Sequence, residues 1–468
     1  MQLSFYLRLD LMNMKVCKFG GTSVATADQI RKVVDIVTSD AERKIVVVSA
    51  PGKRFSDDVK VTDLLIRLGE AALSGAETDP HLERVLSRFR EITDELGLST
   101  DISSEIESDL RDRLSNDKED SSLYMDTMKA AGEDNNAKLI AAYFSLIGCD
   151  AKYINPKDGG LLVNDRPQRV RALSEGDERL AKLREESGLI VFPGFFGFTK
   201  DGTLRTFNRG GSDITGAIVA AAVGADLYEN FTDVDSVFAA NPTVIENPVP
   251  IKTMTYREMR ELAYAGFSVF HDEALIPAFR KSIPVCIKNT NNPNAPGTLI
   301  VKERDYNEQQ VIGIAADSGF TAIYVDKFLM NLEIGFGRRL LQIFEEEEIS
   351  YEHTPSGIDN LSIIIRTRFL TKEKEERIVG RIHKELEPDA VIVEHDYSMI
   401  VLVGEGMQYT TGLAARAATA IAKTGANIEM INQGSSEVSL VFGVKVQDET
   451  KILKELYKEF FVKSYVKS

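Results

Sequence analysis

The sequence predicts an α/β protein: a mainly parallel sheet flanked by helices, then two smaller units that each read βαββα. Three observations predict it. Val16-Cys17-Lys18-Phe19 is a short strand pattern, Gly20-Gly21 a turn, and Ile30, Val33, Val34 and Val37 recur at helical spacing before Ile45-Val46-Val47-Val48; that is the order of a βαβ unit. The second apolar run has no polar alternation, as in a parallel strand covered on both faces. Beyond a polar stretch at 303–310, shorter strand and helix signals repeat at intervals of roughly 80 residues.

Each element follows in turn. Thr26 and Gln29 are spaced as a capping box for the first helix. Residues 64–145 are helix-forming and rich in charge, and predict helices packed on the sheet. Strand signals return at Ala151-Lys152-Tyr153-Ile154, at Leu189-Ile190-Val191-Phe192 before Pro193-Gly194, and at Leu227-Tyr228-Glu229-Asn230-Phe231. An Ala-rich stretch over 214–223 suits a tightly packed helix. The run from Asn289 to Gly297 is dense in turn formers and closes the last hairpin of the first domain. The first small unit has expected strands at 311–315, 321–325 and 361–366 and a helix near 338–347. The second has strands at 399–403, 427–431 and 438–444 and a helix over 413–423, with Gly425 just past its end. The expected domains are an extension over 1–13, a large domain over 14–302 and small domains over 303–388 and 389–468, with the last strand available to complete the former. Met1, Met12 and Met14 are alternative starts.

Bulk properties bound the function. A chain of 468 residues, 43% of them hydrophobic, exceeds one core. A net charge of -16 disfavours nucleic-acid binding, which needs basic stripes, yet leaves room for a locally positive pocket for a small anion. Cys17, Cys149 and Cys286 are few and scattered, which predicts no disulfide framework and a reduced, cytoplasmic setting. No signal peptide is expected, and no apolar run nears the roughly 20 residues of a membrane span.

Familiar nucleotide signatures are missing. There is no G-x-x-x-x-G-K-[ST] loop, Gly404-Glu405-Gly406 lacks the third glycine of a dinucleotide fingerprint, and there is no G-x-S-x-G elbow. Three other segments carry chemistry. Lys18-Phe19-Gly20-Gly21-Thr22-Ser23 joins a cation to glycines that let backbone N–H groups approach an anion; the other reading is a tight turn with an exposed lysine. Asn208-Arg209-Gly210-Gly211-Ser212-Asp213 offers a guanidinium fork for a carboxylate, or a helix cap beside a surface arginine. Phe231-Thr232-Asp233-Val234-Asp235, running on to Phe238 and Asn241-Pro242, could hold an adenosine or be an ordinary β-turn.

In this order and at these separations, the three segments resemble the amino acid kinase family, and within it the branch that phosphorylates L-aspartate. Ile431-Asn432-Gln433-Gly434-Ser435-Ser436-Glu437 and Ser356-Gly357-Ile358-Asp359 resemble segments of that branch's C-terminal tandem ACT domains. The resemblance implies a kinase domain followed by two ferredoxin-like βαββαβ domains. It implies ATP-dependent phosphorylation of the aspartate side-chain carboxylate, the first step toward lysine, threonine and methionine, with ATP and Mg²⁺ and feedback by lysine or threonine.

Roles transfer residue by residue. Lys18 is similar to the phosphate-neutralising lysine and Asp213 to the aspartate that orients it. Ser49, Thr62, Glu133, Phe195, Arg209 and Ser212 resemble substrate-pocket positions, Glu133 and Arg209 as the pair gripping the α-ammonium and α-carboxylate. Gly20, Gly21, Ser23, Thr232, Asp233, Phe238 and Lys288 resemble nucleotide contacts. Met330, Asn331, Glu333 and Gly335, with Ser356, Gly357, Ile358 and Asp359, are the expected effector contacts; the other reading is loops that only pack subunits. No side-chain metal site is expected. Pairing of ACT domains implies a homodimer or homotetramer. Three positions depart from the pattern: Asn208 replaces a usual glycine, Phe238 a usual tyrosine, and the late basic contact near Asn291 is unmatched, leaving Lys288 in its stead.

The chemistry agrees with this reading. A carboxylate nucleophile is already ionised at neutral pH, so positioning and charge neutralisation suffice and no general base is needed. The competing readings are a kinase for glutamate or acetylglutamate, and a non-catalytic amino-acid sensor. A fused kinase–dehydrogenase is not expected, since no dinucleotide-binding domain follows before Ser468.

Overall fold

The computed structural model describes residues 13–167, 169–208, 210–267, 272–306, 309–434 and 436–462. The first unit is built on β1 (Lys15–Phe19), β2 (Arg43–Val48), β3 (Ala151–Tyr153), β4 (Leu189–Pro193), the small hairpin β5 (Phe196–Phe198) and β6 (Leu204–Thr206), β7 (Leu227–Thr232), β8 (Thr253–Thr255), β9 (Val285–Asn289) and β10 (Thr298–Val301). Eight of these form one sheet in the order β3-β4-β2-β1-β7-β9-β10-β8. Every pairing is parallel except β9 with β10. That antiparallel pair is the hairpin expected from the turn formers after Asn289.

The central strands are buried along nearly their whole length, with Val16, Cys17, Phe19 and Ile45 through Val48 fully covered, as the unbroken apolar runs require. Helices supply the cover. They are α1 (Ala27–Thr38), α2 (Val61–Ser74), α3 (Asp79–Leu96), α4 (Thr100–Ser115), α5 (Ser121–Leu146), the short α6 (Pro156–Gly159) and α7 (Asp177–Ala181), α8 (Gly211–Ala222), α9 (Tyr256–Tyr264) and α10 (Ile276–Lys281). Thr26 caps α1 by accepting from the Gln29 amide N–H at 3.3 Å. The capping box is only half made, because the Gln29 side chain donates instead to Asn291.

One ion pair is threaded through the sheet. Arg43 on β2 grips Glu229 on β7 with Nε and Nη2, at 2.7 and 3.1 Å, and Cys17 on the intervening β1 donates to the same carboxylate at 3.3 Å. Glu229 is 3% exposed. Removing one partner of such a pair strands a buried charge, so Arg43→Ala should cost about 3–5 kcal/mol. The paired replacement Arg43→Met with Glu229→Leu should recover most of that loss. Thermal or urea unfolding of the two variants checks both statements.

The second unit is an antiparallel sheet of six strands, β11 (Gly313–Asp326), β12 (Tyr351–His353), β13 (Asn360–Arg366), β14 (Ala390–Val403), β15 (Met430–Gln433) and β16 (Ser439–Lys445), in the order β12-β13-β11-β14-β16-β15. Its helices are α11 (Phe336–Glu346), α12 (Lys372–Leu386), α13 (Leu413–Lys423) and α14 (Glu449–Tyr457). The strands expected separately at 311–315 and 321–325 are one strand of 14 residues. Asp317-Ser318-Gly319 in its middle looks like a turn in sequence but only bends the strand, with φ of Gly319 at +86° and a register shift there. The strand expected at 399–403 is likewise the second half of β14, and the strand expected at 427–431 begins at Met430.

These two long strands serve both βαββα repeats. Phe320 to Asp326 pairs with Tyr397 back to Ala390, and β11-α11-β12-β13-α12-β14 closes a ferredoxin-like half. Gly313 to Ser318 pairs with Val403 back to Ser398, and supplies the fourth strand beside β14, β16 and β15 for the other half. Buried Ile323, Val325, Leu340, Ile343, Ile363, Ile365, Ile378 and Ile382 make the core of the first half.

The two units are not contiguous in sequence. Of the described residues, the first unit takes those up to Val237, Lys252–Tyr256 and those on to Arg304; the second takes Phe238–Ile251, the stretch from Arg257 and everything from Asp305. Helix α9 therefore belongs mostly to the second unit. Among the described residues, no helix is long and apolar enough to cross a membrane.

Candidate active site

In a parallel sheet the groups that bind ligands collect beyond the carboxyl ends of the strands. Here β1 ends at Phe19, β2 at Val48, β4 at Pro193 and β7 at Thr232, and the turns that follow them converge. Phe19 and Phe231 stack at 4.7 Å between ring centres, which seats the first of these turns. The Gly20 N–H donates to the Phe231 carbonyl at 3.1 Å, Ser49 N–H to Phe19 at 3.2 Å, and Gly194 N–H to Val48 at 2.9 Å.

The glycine turn after β1 lies directly against the turn after β2. Gly52 N–H donates to the Gly21 carbonyl at 2.8 Å, and a Cβ on Gly52 would stand 2.5 Å from the Gly21 carbonyl carbon. Backbone cannot yield as a side-chain tip can. Gly52→Ala should therefore shift the glycine turn and lower kcat/KM for ATP by about 10²-fold, measured against unchanged far-UV dichroism. Arg88 on α3, buried, holds this turn from below by donating to the Gly52 carbonyl at 3.0 Å and pairing with Asp58 at 2.7 Å.

Lys18 sits at the centre. Its ammonium is 2.5 Å from Asp213 Oδ1, with the two side chains 8% and 19% exposed. Asp213 lies in the first turn of α8, whose entry uses Gly210 at φ +73°. Asn230 donates to the same Oδ1 at 2.8 Å, and Tyr228 donates to the Asp213 carbonyl at 3.2 Å. Burial raises the Tyr228 phenol well above its ordinary value, so it remains a hydrogen-bond donor.

Glu133 arrives from α5. That helix buries four consecutive polar residues, Glu133 to Asn136, an arrangement that costs stability unless each finds a partner. Three have structural ones: Asp134 pairs with Arg113 at 2.6 Å, Asn135 donates to Asp109 at 2.8 Å, and Asn136 donates to the Ser49 carbonyl at 2.7 Å. Glu133 instead faces the site, bonded to the Ala50 backbone and to Ser212, with Oε2 buried and unpartnered among the described residues. Burial pushes its carboxyl up to about 8, against the pull of Lys18 and those hydrogen bonds.

The structure thus gathers Lys18, Glu133, Ser212, Asp213, Gly20 and Gly21 with the Ser49 backbone. Phe195 joins them at φ +77°, its N–H donating to Thr215 at 3.0 Å. A Cβ on Gly211 or Gly194 would collide with Phe195 or Ser212, so close packing fixes this corner. Thr62 lies in the first turn of α2, next to Val61, whose N–H is bonded to the Pro51 carbonyl. Ser23 shares a hydrogen bond with Thr290 at 2.7 Å, and Thr232 bonds to Asp233. Lys288 stands on β9 opposite Phe231. Phe238 belongs to the second unit, where it bridges to Pro250. Arg209 lies outside the described residues.

Asn230, Asn136, Gly52 and Arg88 are participants that sequence reading missed. Only Asn230 left a signal: a polar side chain inside an apolar strand, followed by Thr-Asp. Lys32 on α1, exposed, donates to Asn291 at 2.8 Å.

In the second unit the two expected effector loops meet. Asp359 accepts from the Leu329 N–H at 2.9 Å. Glu333 is held by Lys327 at 2.8 Å and by Arg339, and Lys327 foremost lowers its carboxyl below the ordinary value. Met330 and Asn331 form a single 3-10 turn, and Gly335 precedes α11 at φ +81°. Gly357 N–H donates to Asn360, and Ser356 bridges to Leu361. Ile358, Phe328, Leu332 and Ile334 stand out to solvent, the last 98% exposed.

The chain is similar to known proteins over nearly its whole length. Residues 13–289 match the Amino acid kinase family and residues 400–460 an ACT domain. Aspartokinase 3 of Bacillus subtilis is 56% identical over 448 residues, covering 96% of this chain and 99% of that protein. The crystal structure of Clostridium acetobutylicum aspartate kinase superposes with a TM-score of 0.86 at 36% identity, over 96% of this chain and all of the other. That of E. coli aspartokinase III in complex with lysine and aspartate gives 0.77 at 25% identity, over 96% and 99%.

Proposed function

We propose roles for these residues from one premise: the chain belongs to the amino acid kinase family, among its aspartokinases, and phosphorylates the side-chain carboxylate of aspartate. ATP is the donor in this family, and Mg²⁺ enters with it as part of the nucleotide substrate. The observation that carries the assignment is the triad Lys18–Asp213–Asn230 with Glu133 beside it, at the carboxyl ends of parallel strands.

The transferred phosphoryl group carries spread negative charge, and the protein's task is to neutralise and align it. Lys18 is the mobile cation: it leaves Asp213 for phosphate oxygens as charge develops there. Asp213, kept in place by Asn230, holds the lysine in position. Gly20 and Gly21 present backbone N–H groups to the phosphates, and Ser23, Thr232, Asp233 and Lys288 surround the rest of the nucleotide. Glu133, with Ser212 at its side, receives the α-ammonium of aspartate, and Arg209 its α-carboxylate. Ser49, Thr62 and Phe195 shape the pocket around the substrate.

The second unit senses an amino acid at the loops joined by Asp359 and Leu329. Lysine is the leading effector, on the similarity to the lysine-bound E. coli enzyme, and threonine the next. Glu333 and Asp359 already have partners, so backbone groups of 330–335 would do more of the binding than those two carboxylates. The exposed Phe328, Leu332, Ile334 and Ile358 suit pairing with a second copy, as a homodimer or homotetramer in the cytoplasm.

The test is direct. Purified protein with ATP, Mg²⁺, L-aspartate and hydroxylamine should form aspartyl hydroxamate, and lysine should suppress it. Hydroxamate from glutamate or acetylglutamate but not aspartate would overturn the pocket assignment.

A further inference from the structure

The second unit contains a cavity of about 630 Å³, within the usual range for small-molecule sites. One wall is α9; the other is the sheet with Asn432, Gly434, Ser436 and Val438. Their charges differ: the sheet wall carries a negative excess that the helix wall lacks. On the sheet wall Asp317 and Glu352 share a single cation, Arg366, at 2.5 and 3.3 Å. The guanidinium lies over the Phe320 ring at 4.2 Å and so cannot swing away freely. Two carboxylates against one fixed guanidinium leave one negative charge in excess. Tyr264 adds a hydrogen bond to Glu352 but no charge.

The helix wall lacks that negative excess, and Arg260 is the cation on it without an acidic partner among the described residues. Arg257 and Arg260 face one acid, Glu261. Arg257 is 70% exposed and its nearest carboxylate, Glu405, is 3.7 Å away. Between the walls, Met399, Val401 and Val441 supply an apolar floor. His353 shares a hydrogen bond with Asn432 at 3.1 Å, and burial lowers its affinity for a proton, so it adds no charge at neutral pH.

We propose that this cavity binds a zwitterionic α-amino acid, its carboxylate on Arg257 and Arg260 and its ammonium on the Asp317–Glu352 side. A dianion would meet the carboxylate wall, and a simple amine the arginine wall. A dipolar ligand satisfies both at once, and the floor takes its side chain. The site is separate from the loops joined by Asp359 and Leu329, and it stands whether or not those loops bind an effector.

The chain has no tryptophan, so Tyr264→Trp installs a single reporter in this cavity. Its emission should change saturably with at least one amino acid and stay unchanged with succinate or putrescine. Arg260→Ala in that background should weaken the response about tenfold or more, as for a lost charged hydrogen bond. Because the reporter gives up the Tyr264 hydrogen bond, calorimetric titration of the otherwise unaltered chain is run beside it. There too, Arg260→Ala and Asp317→Asn should each weaken one binding event that Asp359→Ala leaves intact. The proposal falls if no amino acid produces heat, if every binding event survives Arg260→Ala, or if succinate or putrescine alone binds.

Discussion

Lys18→Ala should lower turnover by about 10³-fold or more while the protein stays folded. The lysine is 6% exposed, and among the described residues it pairs with Asp213. Without it the site keeps a carboxylate held by Asn230 and gains no replacement cation. Triphosphate would then approach a negative pocket, and the charge that grows during transfer would have no counterpart. Removal of a group that acts mainly in the transition state should appear in kcat, with a smaller change in KM for aspartate. A coupled ADP-release assay beside a thermal melt separates loss of chemistry from loss of structure. Near-normal turnover would mean that another group neutralises the phosphate.

Glu133→Gln should raise KM for aspartate by about 10- to 100-fold, the cost of losing a charged hydrogen bond, and should change the protein's response to pH. In the folded chain this carboxyl titrates near 8, and in the unfolded chain near its ordinary 4.5. Between those values the folded state holds a proton that the unfolded state has released. Stability therefore falls as pH rises from about 4.5 to about 8 and levels off above, by a few kcal/mol. Glutamine stays neutral throughout, so the variant should lose that slope and be the more stable protein at pH 8.5. An arriving ammonium group favours the ionised carboxylate. Binding of aspartate at pH 7 should then release a proton, visible as a calorimetric heat that varies with the buffer's ionisation enthalpy. The glutamine variant should release none there. Equal proton release in both proteins would remove Glu133 from the ammonium site.

The parts of this site that were legible in the sequence are those whose chemistry is local. Lys18-Phe19-Gly20-Gly21 carries its strand, turn and cation within a few residues. The Ala-rich run after Asp213 gives a helix because small residues suit close packing, and α8 spans Gly211–Ala222. Glu133 was legible only through family resemblance. Its helix buries polar residues on several sides, so no amphipathic stripe marks the one that faces the pocket. Asn136 and Gly52 act through the backbone of Ser49 and Gly21, contacts that span distant parts of the chain. Long strands were misread for a different reason. Asp317-Ser318-Gly319 has the composition of a turn, and only pairing on both sides keeps β11 continuous. Nor does any local signal assign α9 to the second unit, since that follows from what the helix packs against.

That division has a consequence for anyone wishing to transplant the regulatory part onto another enzyme. A cut near residue 305 would seem natural, yet it would leave behind Phe238–Ile251 and α9. A cut near 389 would part β14 from the first ferredoxin-like half, which needs it as much as the second does. Among the described residues the chain passes between the two units after Val237, Ile251, Tyr256 and Arg304. The sensor is therefore not a cassette that recombination can shuffle in one piece. It must be inherited, duplicated or engineered together with the kinase it is stitched into.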